Sequence, residues 1–104
     1  MAGSILQPGV ALGRGVIVNT RASVDHDCRL ADFVHIAPGA TLSGDVQVGE
    51  GSLVGVGAVV VQGVRIGNGC LVAAGAVVVD DVPDGALVAG VPARRRGDNG
   101  LFAR

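Results

Sequence analysis

The sequence predicts an all-β chain wound into a parallel β-helix, because its apolar pattern repeats every six residues. Thirteen consecutive positions at this spacing are aliphatic without exception. An α-helix would repeat its apolar stripe every three to four residues and a single strand every two, so neither explains the pattern. Three six-residue units form one triangular coil of 18 residues, which predicts a solenoid of just over four coils. The aliphatic positions are Leu6, Leu12, Val18, Val24, Leu30, Ile36, Leu42, Val48, Val54, Val60, Ile66, Val72 and Val78.

A second position in each unit supports the same fold. Four residues after every aliphatic position, from Val10 to Val82, the side chain is small or β-branched. One large and one small inward residue per unit suit short strands that meet at tight corners around a narrow core. Many of the 18 glycines fall at the expected corners.

The repeat has a clear end. It runs from Leu6 to Pro83 and fails at Asp84, so we expect a β-helix over residues 1–83 and a C-terminal tail over residues 84–104. Stacked coils leave an open sheet edge at each end, and the tail is expected to cap the last coil. Val61 and Val79 each follow an inward residue and are expected to add apolar surface to the outer faces.

Composition excludes several classes of partner. The 104 residues suit one domain, the net charge is −1 and every basic residue is Arg, so no basic field would attract nucleic acid or a membrane. The chain has neither an apolar stretch of roughly 20 residues nor the layout of a signal peptide, which predicts a cytoplasmic protein. Cys28 and Cys70 lie on different faces and heights of the predicted solenoid, so we expect two buried, reduced thiols.

Both histidines of the chain interrupt the regular repeat close together. His26 stands between Asp25 and Asp27, and His35 follows nine residues later, which is half a coil. The two rings therefore belong to one layer but to different faces, and they could meet only in a cleft between neighbouring copies. By position alone, His26 could equally be a solvent-exposed corner residue. The adjacent carboxylates favour a general base, because a carboxylate can fix the tautomer of an imidazole and favour its protonated form.

Several segments together resemble a known family. They are Asn19, the run VDHDC at residues 24–28, the run DFVHIAP at 32–38, the glycine-containing segments 49–51 and 55–58, and GVPAR at 90–94. With the six-residue repeat, they resemble the hexapeptide-repeat sugar acetyltransferases, which acetylate nucleotide-linked amino sugars, and the related sialic-acid O-acetyltransferases. The resemblance implies that the parallel β-helix is left-handed, which the period does not determine.

The resemblance also implies roles for individual residues. His26 matches the general base of the family, and Asp27 matches the acid that raises its basicity. His35 matches a histidine that contacts acetyl-CoA, and Asn19 matches a position near the base, on the substrate side. The remaining positions that match cofactor contacts are Val56, Ala74 and Arg94.

The implied activity is direct acetyl transfer from acetyl-CoA to an amine or hydroxyl of a sugar. Acetyl-CoA is then a co-substrate, and no metal is expected. The resemblance further implies a homotrimer with its sites between subunits. Sugar acetyltransferases of this type usually carry an N-terminal α/β domain for the nucleotide sugar, and we expect that domain to be absent here. The acceptor sugar and the choice between N- and O-acetylation stay open.

Two other readings compete. The γ-type carbonic anhydrases use a similar solenoid but need three histidines around a metal ion, and this chain has only two. A non-catalytic trimeric scaffold is the alternative outside enzymology. It predicts a trimer that does not bind acetyl-CoA and whose properties are unaffected when His26 is replaced.

Overall fold

The computed structural model describes residues 3–98, which form fifteen short β-strands and contain no helix. Most strands are two residues long, as expected for a coil that turns a corner every six residues. The strands are β1 (Ile5–Leu6), β2 (Ala11–Leu12), β3 (Ile17–Val18), β4 (Ser23–Val24), β5 (Arg29–Leu30), β6 (His35–Ile36), β7 (Thr41–Leu42), β8 (Gln47–Val48), β9 (Leu53–Val54), β10 (Val59–Val60), β11 (Arg65–Ile66), β12 (Leu71–Val72), β13 (Val77–Val78), β14 (Ala86–Ala89) and β15 (Arg94–Asp98).

The strands form three parallel sheets, which are the faces of a triangular prism. The first face contains β1, β4, β7, β10 and β13, and the second contains β2, β5, β8 and β11. The third contains β3, β6, β9, β12 and β14, with β15 added at its edge. Each strand pairs with the strand one coil later, so Ile5 lies beside Ser23 and Ser23 beside Thr41. Residues 18 apart therefore stack on the same face or corner.

Three rows of corners join the faces. The first corner leads from the first face to the second and contains residues 7–10, 25–28, 43–46 and 61–64. The second corner contains 13–16, 31–34, 49–52 and 67–70, and the third contains 19–22, 37–40, 55–58 and 73–76. The third residue after each aliphatic position has a positive φ at every corner from Gly3 to Gly75. This left-handed backbone explains why glycine recurs there.

The core is a single column of aliphatic and small side chains. From Val18 onward, both predicted inward positions of each unit are buried through Val78. Leu6 and Leu12 belong to the first coil and are 39% and 42% exposed. Val61 is half-buried and packs against the core, whereas Val79 is exposed, so only Val79 adds the outer apolar surface predicted for both.

The last coil corrects the predicted length of the solenoid. The 18-residue spacing holds up to the pair Val60 and Val78, but Ile66 then pairs with Val82, only 16 residues later. Val82 thus occupies a large aliphatic position rather than the small position predicted for it. Because the last coil is two residues shorter between these positions, the following segment is in register for β14 to pair with β12. The solenoid therefore has about five turns, rather than just over four.

The segment assigned to the tail contributes two strands. β14 completes the third face, and β15 turns back and pairs with it antiparallel, which covers its outer edge. The amide of Ala93 donates to the carbonyl of Val77 at 2.8 Å, which fixes the turn against the first face. The division of the chain at residue 83 stays a prediction, and residues 1–2 and 99–104 lie outside the described part.

The two cysteines are free and buried, as expected. The thiol of Cys28 donates to the carbonyl of Ser43 at 3.1 Å, and that of Cys70 to the carbonyl of Pro83 at 3.0 Å. Burial raises the pKa of the Cys28 thiol, which disfavours the nucleophilic thiolate. Over residues 3–98 no helix is long and apolar enough to cross a membrane.

Ser52 provides a test of the core. It occupies a small inward position, is fully buried, and bridges two coils: its hydroxyl donates to the carbonyl of Gly67 at 2.6 Å and accepts from the amide of Cys70 at 2.9 Å. We expect Ser52→Ala to lower the free energy of unfolding by about 1–3 kcal/mol, because two backbone groups lose their partner. Denaturant titration measures this loss.

Ser23→Ala is the matched control, since it removes the same hydroxyl from a half-buried position on the first face. Its effect should stay within about 0.5 kcal/mol. Equal losses in the two variants would contradict the bridging role of Ser52.

Candidate active site

His26 lies on the first corner, between two buried anchors. The strand β4 ends at Val24, and Cys28 returns the chain to the core, so the three residues between them project outward. The carboxylate of Asp25 accepts a hydrogen bond from the amide of His26 at 2.7 Å, which tightens the turn. The side chain of His26 is 51% exposed, as a residue that meets a substrate must be.

Asp27 orients the imidazole. Its Oδ2 lies 3.3 Å from His26 Nδ1. When Nδ1 carries the proton and donates to Asp27, Nε2 is the nitrogen left to accept a proton. The pKa of His26 is raised above its ordinary value, chiefly by this hydrogen bond and further by the negative charges of Asp25, Asp45 and Asp27. The corner therefore provides an oriented base of increased basicity.

Sequence analysis missed Asp45. It lies 18 residues after Asp27, so it stacks on the same corner one coil later, and the donor atoms of His26, Asp27 and Asp45 all lie within 4.8 Å of one another. Both aspartates have positive φ, 59° and 58°. The spacing of 18 was the available signal. A divalent cation could use such a donor set, but all three groups are exposed. The two aspartates instead raise the pKa of His26.

His35 lies on the third face, where it makes a different contact. It belongs to β6 and stands in the outward row between Ile17 and Leu53. The side-chain amide of Asn19 donates to His35 Nε2 at 2.6 Å, which leaves Nδ1 to carry the proton of a neutral ring. Asn19 was predicted near the base, but within one chain it contacts His35 and not His26.

The other predicted cofactor residues lie along the third corner and the edge of the third face. Val56 and Ala74 stack at the same corner position in successive coils and are exposed, and the carbonyl of Val56 accepts from the amide of Gly75 at 2.9 Å. Arg94 begins β15 and pairs with Ala89 at the end of this row. Small side chains beside regular backbone would let an extended ligand lie against the coils.

The two groups of residues occupy opposite sides of the prism. The first corner joins the first and second faces, so it is the vertex opposite the third face that carries His35. Two surface grooves of about 410 and 440 Å³ include neither histidine: one follows Arg29, Gln47 and Arg65 on the second face, and the other adjoins Phe33. A site that uses both histidines therefore needs two copies of the chain.

Asp32 shows what an acidic corner looks like in a purely structural role. Its Oδ1 accepts from the amide of Arg14 at 2.7 Å, and its Oδ2 lies 3.2 Å from the guanidinium. These two hydrogen bonds, the backbone one first, hold the pKa of Asp32 below its ordinary value. Asp32 thus ties the second corner of one coil to the next, whereas Asp27 faces an imidazole.

Comparison with known proteins supports the predicted family resemblance. Residues 45–80 match the family described as bacterial transferase hexapeptide (six repeats). The acetyltransferase domain of PglB from Neisseria gonorrhoeae, solved with acetyl coenzyme A, is 39% identical, with a TM-score of 0.78 over 90% of this chain and 55% of that one. PerB from Caulobacter crescentus, solved with CoA and GDP-perosamine, is 43% identical, with a TM-score of 0.82 over 92% of this chain and 55% of that one.

A more distant match has a different acceptor in its name. The serine acetyltransferase of Neisseria gonorrhoeae is 30% identical, with a TM-score of 0.83 over 88% of this chain and 40% of that one. This chain spans about half the length of the PglB domain and of PerB, 55% in each case. The matches confirm the left-handed parallel β-helix and the resemblance to hexapeptide-repeat sugar acetyltransferases.

The charges around His26 can be separated by experiment. We expect Asp27→Asn to lower the pKa of His26 more than Asp45→Asn does, because Asp27 contributes a hydrogen bond as well as charge. Asparagine tolerates a positive φ, so the corner should keep its shape. NMR titration of the His26 Cε1–H resonance measures both shifts.

Asp32→Asn is the matched control on the second corner and should leave the His26 titration unchanged. If Asp45→Asn shifted the pKa of His26 as far as Asp27→Asn, the hydrogen bond at Nδ1 would not be the main cause.

Proposed function

We propose that this chain is the β-helical catalytic part of an acetyltransferase that transfers the acetyl group of acetyl-CoA to a sugar, with His26 as general base. The observation that carries the proposal is the oriented imidazole of His26, with Asp27 at Nδ1 and Nε2 left to accept a proton. The bound ligands of two similar proteins, acetyl coenzyme A in PglB and CoA with GDP-perosamine in PerB, support the substrates.

The reaction needs one proton acceptor and no covalent enzyme intermediate. An amine or hydroxyl of the acceptor attacks the thioester carbon while Nε2 of His26 takes its proton. The new carbon–nitrogen or carbon–oxygen bond forms, the carbon–sulfur bond breaks, and CoA leaves as the thiolate. Asp27 stabilises the imidazolium that results. A main-chain N–H would stabilise the negative charge that develops on the carbonyl oxygen.

A nucleotide-linked 4-amino sugar is the acceptor we favour. Identity is higher to the PglB domain and to PerB, at 39% and 43%, than to serine acetyltransferase, at 30%, although the TM-scores are similar. Because the fold is shared by all three, the difference in side chains is the better guide to the acceptor. We assign Asn19 to the acceptor side of the site, and His35, Val56, Ala74 and Arg94 to acetyl-CoA.

The active site in this proposal lies between subunits of a homotrimer. His26 and His35 stand on opposite sides of one prism, so each site takes His26 from one copy and His35 from the next. The outward rows of the parallel strands on two faces suit such contacts because they carry no Arg, Asp or Glu, whereas the second face presents Arg29 and Arg65. The first face presents Ile5, Ser23, Thr41, Val59 and Val77, and the third presents Ile17, His35, Leu53, Leu71 and Leu87.

Thiol release from acetyl-CoA, with a nucleotide-linked 4-amino sugar as acceptor, tests the activity. We expect His26→Ala to reduce kcat roughly 100- to 10,000-fold, the range typical of a lost general base. Gln62→Ala is the control, since Gln62 is exposed on the same corner two coils away. A chain that binds no acetyl-CoA and releases no thiol, whether or not His26 is present, would instead be a scaffold.

His35 should act on cofactor binding. We expect His35→Ala to weaken acetyl-CoA binding roughly 3- to 10-fold, as the loss of one hydrogen bond would. Isothermal titration calorimetry measures the affinity, and His26→Ala should change it less than about twofold if His26 acts in the chemical step. Unchanged affinity in His35→Ala would remove the role proposed for His35.

Mixed assemblies test the shared site. If His26→Ala and His35→Ala chains are unfolded, mixed in equal amounts and refolded, about a quarter of the sites in a cyclic assembly will combine two intact histidines. At acetyl-CoA concentrations well below its Kd, where His35→Ala is impaired as well as His26→Ala, the mixture should therefore recover at least about a quarter of the wild-type rate. A mixture no more active than the mean of the two variants would contradict a site built from two copies.

A further inference from the structure

Gly44 lies directly beneath the ring of His26. It occupies the same position of the first corner one coil later, so the two residues stack 18 apart. A Cβ atom added at Gly44 would lie 2.5 Å from His26 Nε2, 2.6 Å from Cε1 and 3.2 Å from Cδ2. Real Cβ atoms essentially never make contacts below 3 Å, so the exposed His26 ring would have to move aside. The ring therefore rests on bare backbone and could not keep this position over any other residue.

The backbone itself does not call for glycine at this position. The position two residues after each aliphatic residue recurs twelve times, from Pro8 to Ala74. Gly44 is the one glycine among these twelve residues. Arginine, threonine, valine and proline occupy equivalent corners, and the φ of Gly44 lies outside the left-handed region. A glycine in a regular element generally destabilises it relative to alanine. The reason for this glycine must therefore lie in its surroundings.

The atoms around Gly44 differ from those around the other glycines whose φ lies outside the left-handed region. A Cβ at Gly55 would meet the backbone of the next coil, at Val72 and Ala74, so that glycine serves coil stacking. At Gly44 the three nearest atoms all belong to the side chain of His26. The steric demand at Gly44 thus comes from one functional side chain rather than from the solenoid.

We infer that Gly44 is a positioning residue, whose missing side chain forms the seat that holds the His26 ring against Asp27 with Nε2 unobstructed. The consequence for catalysis rests on the proposed function, whereas the seat itself does not. The atom nearest to the missing Cβ is Nε2, the nitrogen that must accept the proton. A methyl group there would either cover Nε2 or turn the ring away from Asp27, whose hydrogen bond is already long at 3.3 Å.

Gly44→Ala tests the seat through the titration of His26. The charged groups that face the ring are Asp25, Asp27 and Asp45. If the ring moves away from Asp27, it loses its main stabilising contact, and the pKa of His26 should fall toward its ordinary value. NMR titration measures this shift without reference to any activity, and Gln62→Ala at the same corner position should leave it unchanged. An unaltered His26 titration in Gly44→Ala would overturn the inference.

Stability in two backgrounds separates the ring from the backbone. In the wild-type background Gly44→Ala should raise Tm less than in a background without the ring, or lower it, because the methyl group displaces the ring from its contact with Asp27. In a His26→Ala background the same change should raise Tm, because alanine restricts the unfolded chain and no ring remains to be displaced. If Gly44→Ala changed Tm equally in both backgrounds, whether up or down, the His26 ring would not be coupled to Gly44 and the inference would fail.

Kinetics then connect the seat to catalysis. Gly44→Ala should reduce kcat roughly 100-fold, as misplacement of a catalytic group by about 1 Å can, while the KM for acetyl-CoA changes less than about twofold. An unchanged kcat together with a shifted His26 titration would overturn the catalytic consequence and leave the seat in place. A wild-type chain without turnover would refute the proposed function alone, since titration and Tm still decide the seat.

Discussion

The parallel hydrogen bonding of one coil to the next is the constraint on which the rest of this molecule depends. Each strand pairs with the strand 18 residues later, so a residue at one corner always meets its counterpart in the next coil. Sequence positions far apart become neighbours in a fixed grid, without any helix or long loop in the described part of the chain. His26 and Gly44, and likewise Asp27 and Asp45, meet because of this register rather than through any local motif.

The grid also explains which features the sequence could predict. The faces, the inward positions and the layer shared by His26 and His35 all follow from a period of six, since the period alone fixes which way a residue points. The shortened last coil does not follow, because Val82 fits both the small position after Val78 and the place beside Ile66. Only the pairing of the whole segment, with β14 beside β12, selects the second possibility.

The candidate site was predictable to a lesser degree, for a physical reason. The Asp-His-Asp run is local, so its hydrogen bond could be expected from neighbouring residues, although adjacent side chains often point apart. Asp45 and Gly44 influence His26 across a coil boundary, and that influence depends on ring orientation and on distances of a few ångströms. The contact of Asn19 with His35 depends on side-chain torsions in the same way. A period specifies neighbours but not rotamers.

Backbone strain gives an independent indication of where function lies. Nine of the thirteen left-handed corners from Gly3 to Gly75 are glycine, and the exceptions are Arg21, Asp27, Phe33 and Asp45. The first three are the successive corners of one coil, which also carries His26 and His35. No other coil lacks glycine at all three corners.

A left-handed backbone costs an ordinary residue roughly 1–2 kcal/mol. A scaffold could relieve that cost with glycine, as the coils from residue 51 onward do, whereas the proposed enzyme needs the carboxylate of Asp27 at its corner to contact His26. The concentration of strain in this coil is therefore harder to explain for a scaffold than for the proposed enzyme, whose base would lie in that coil.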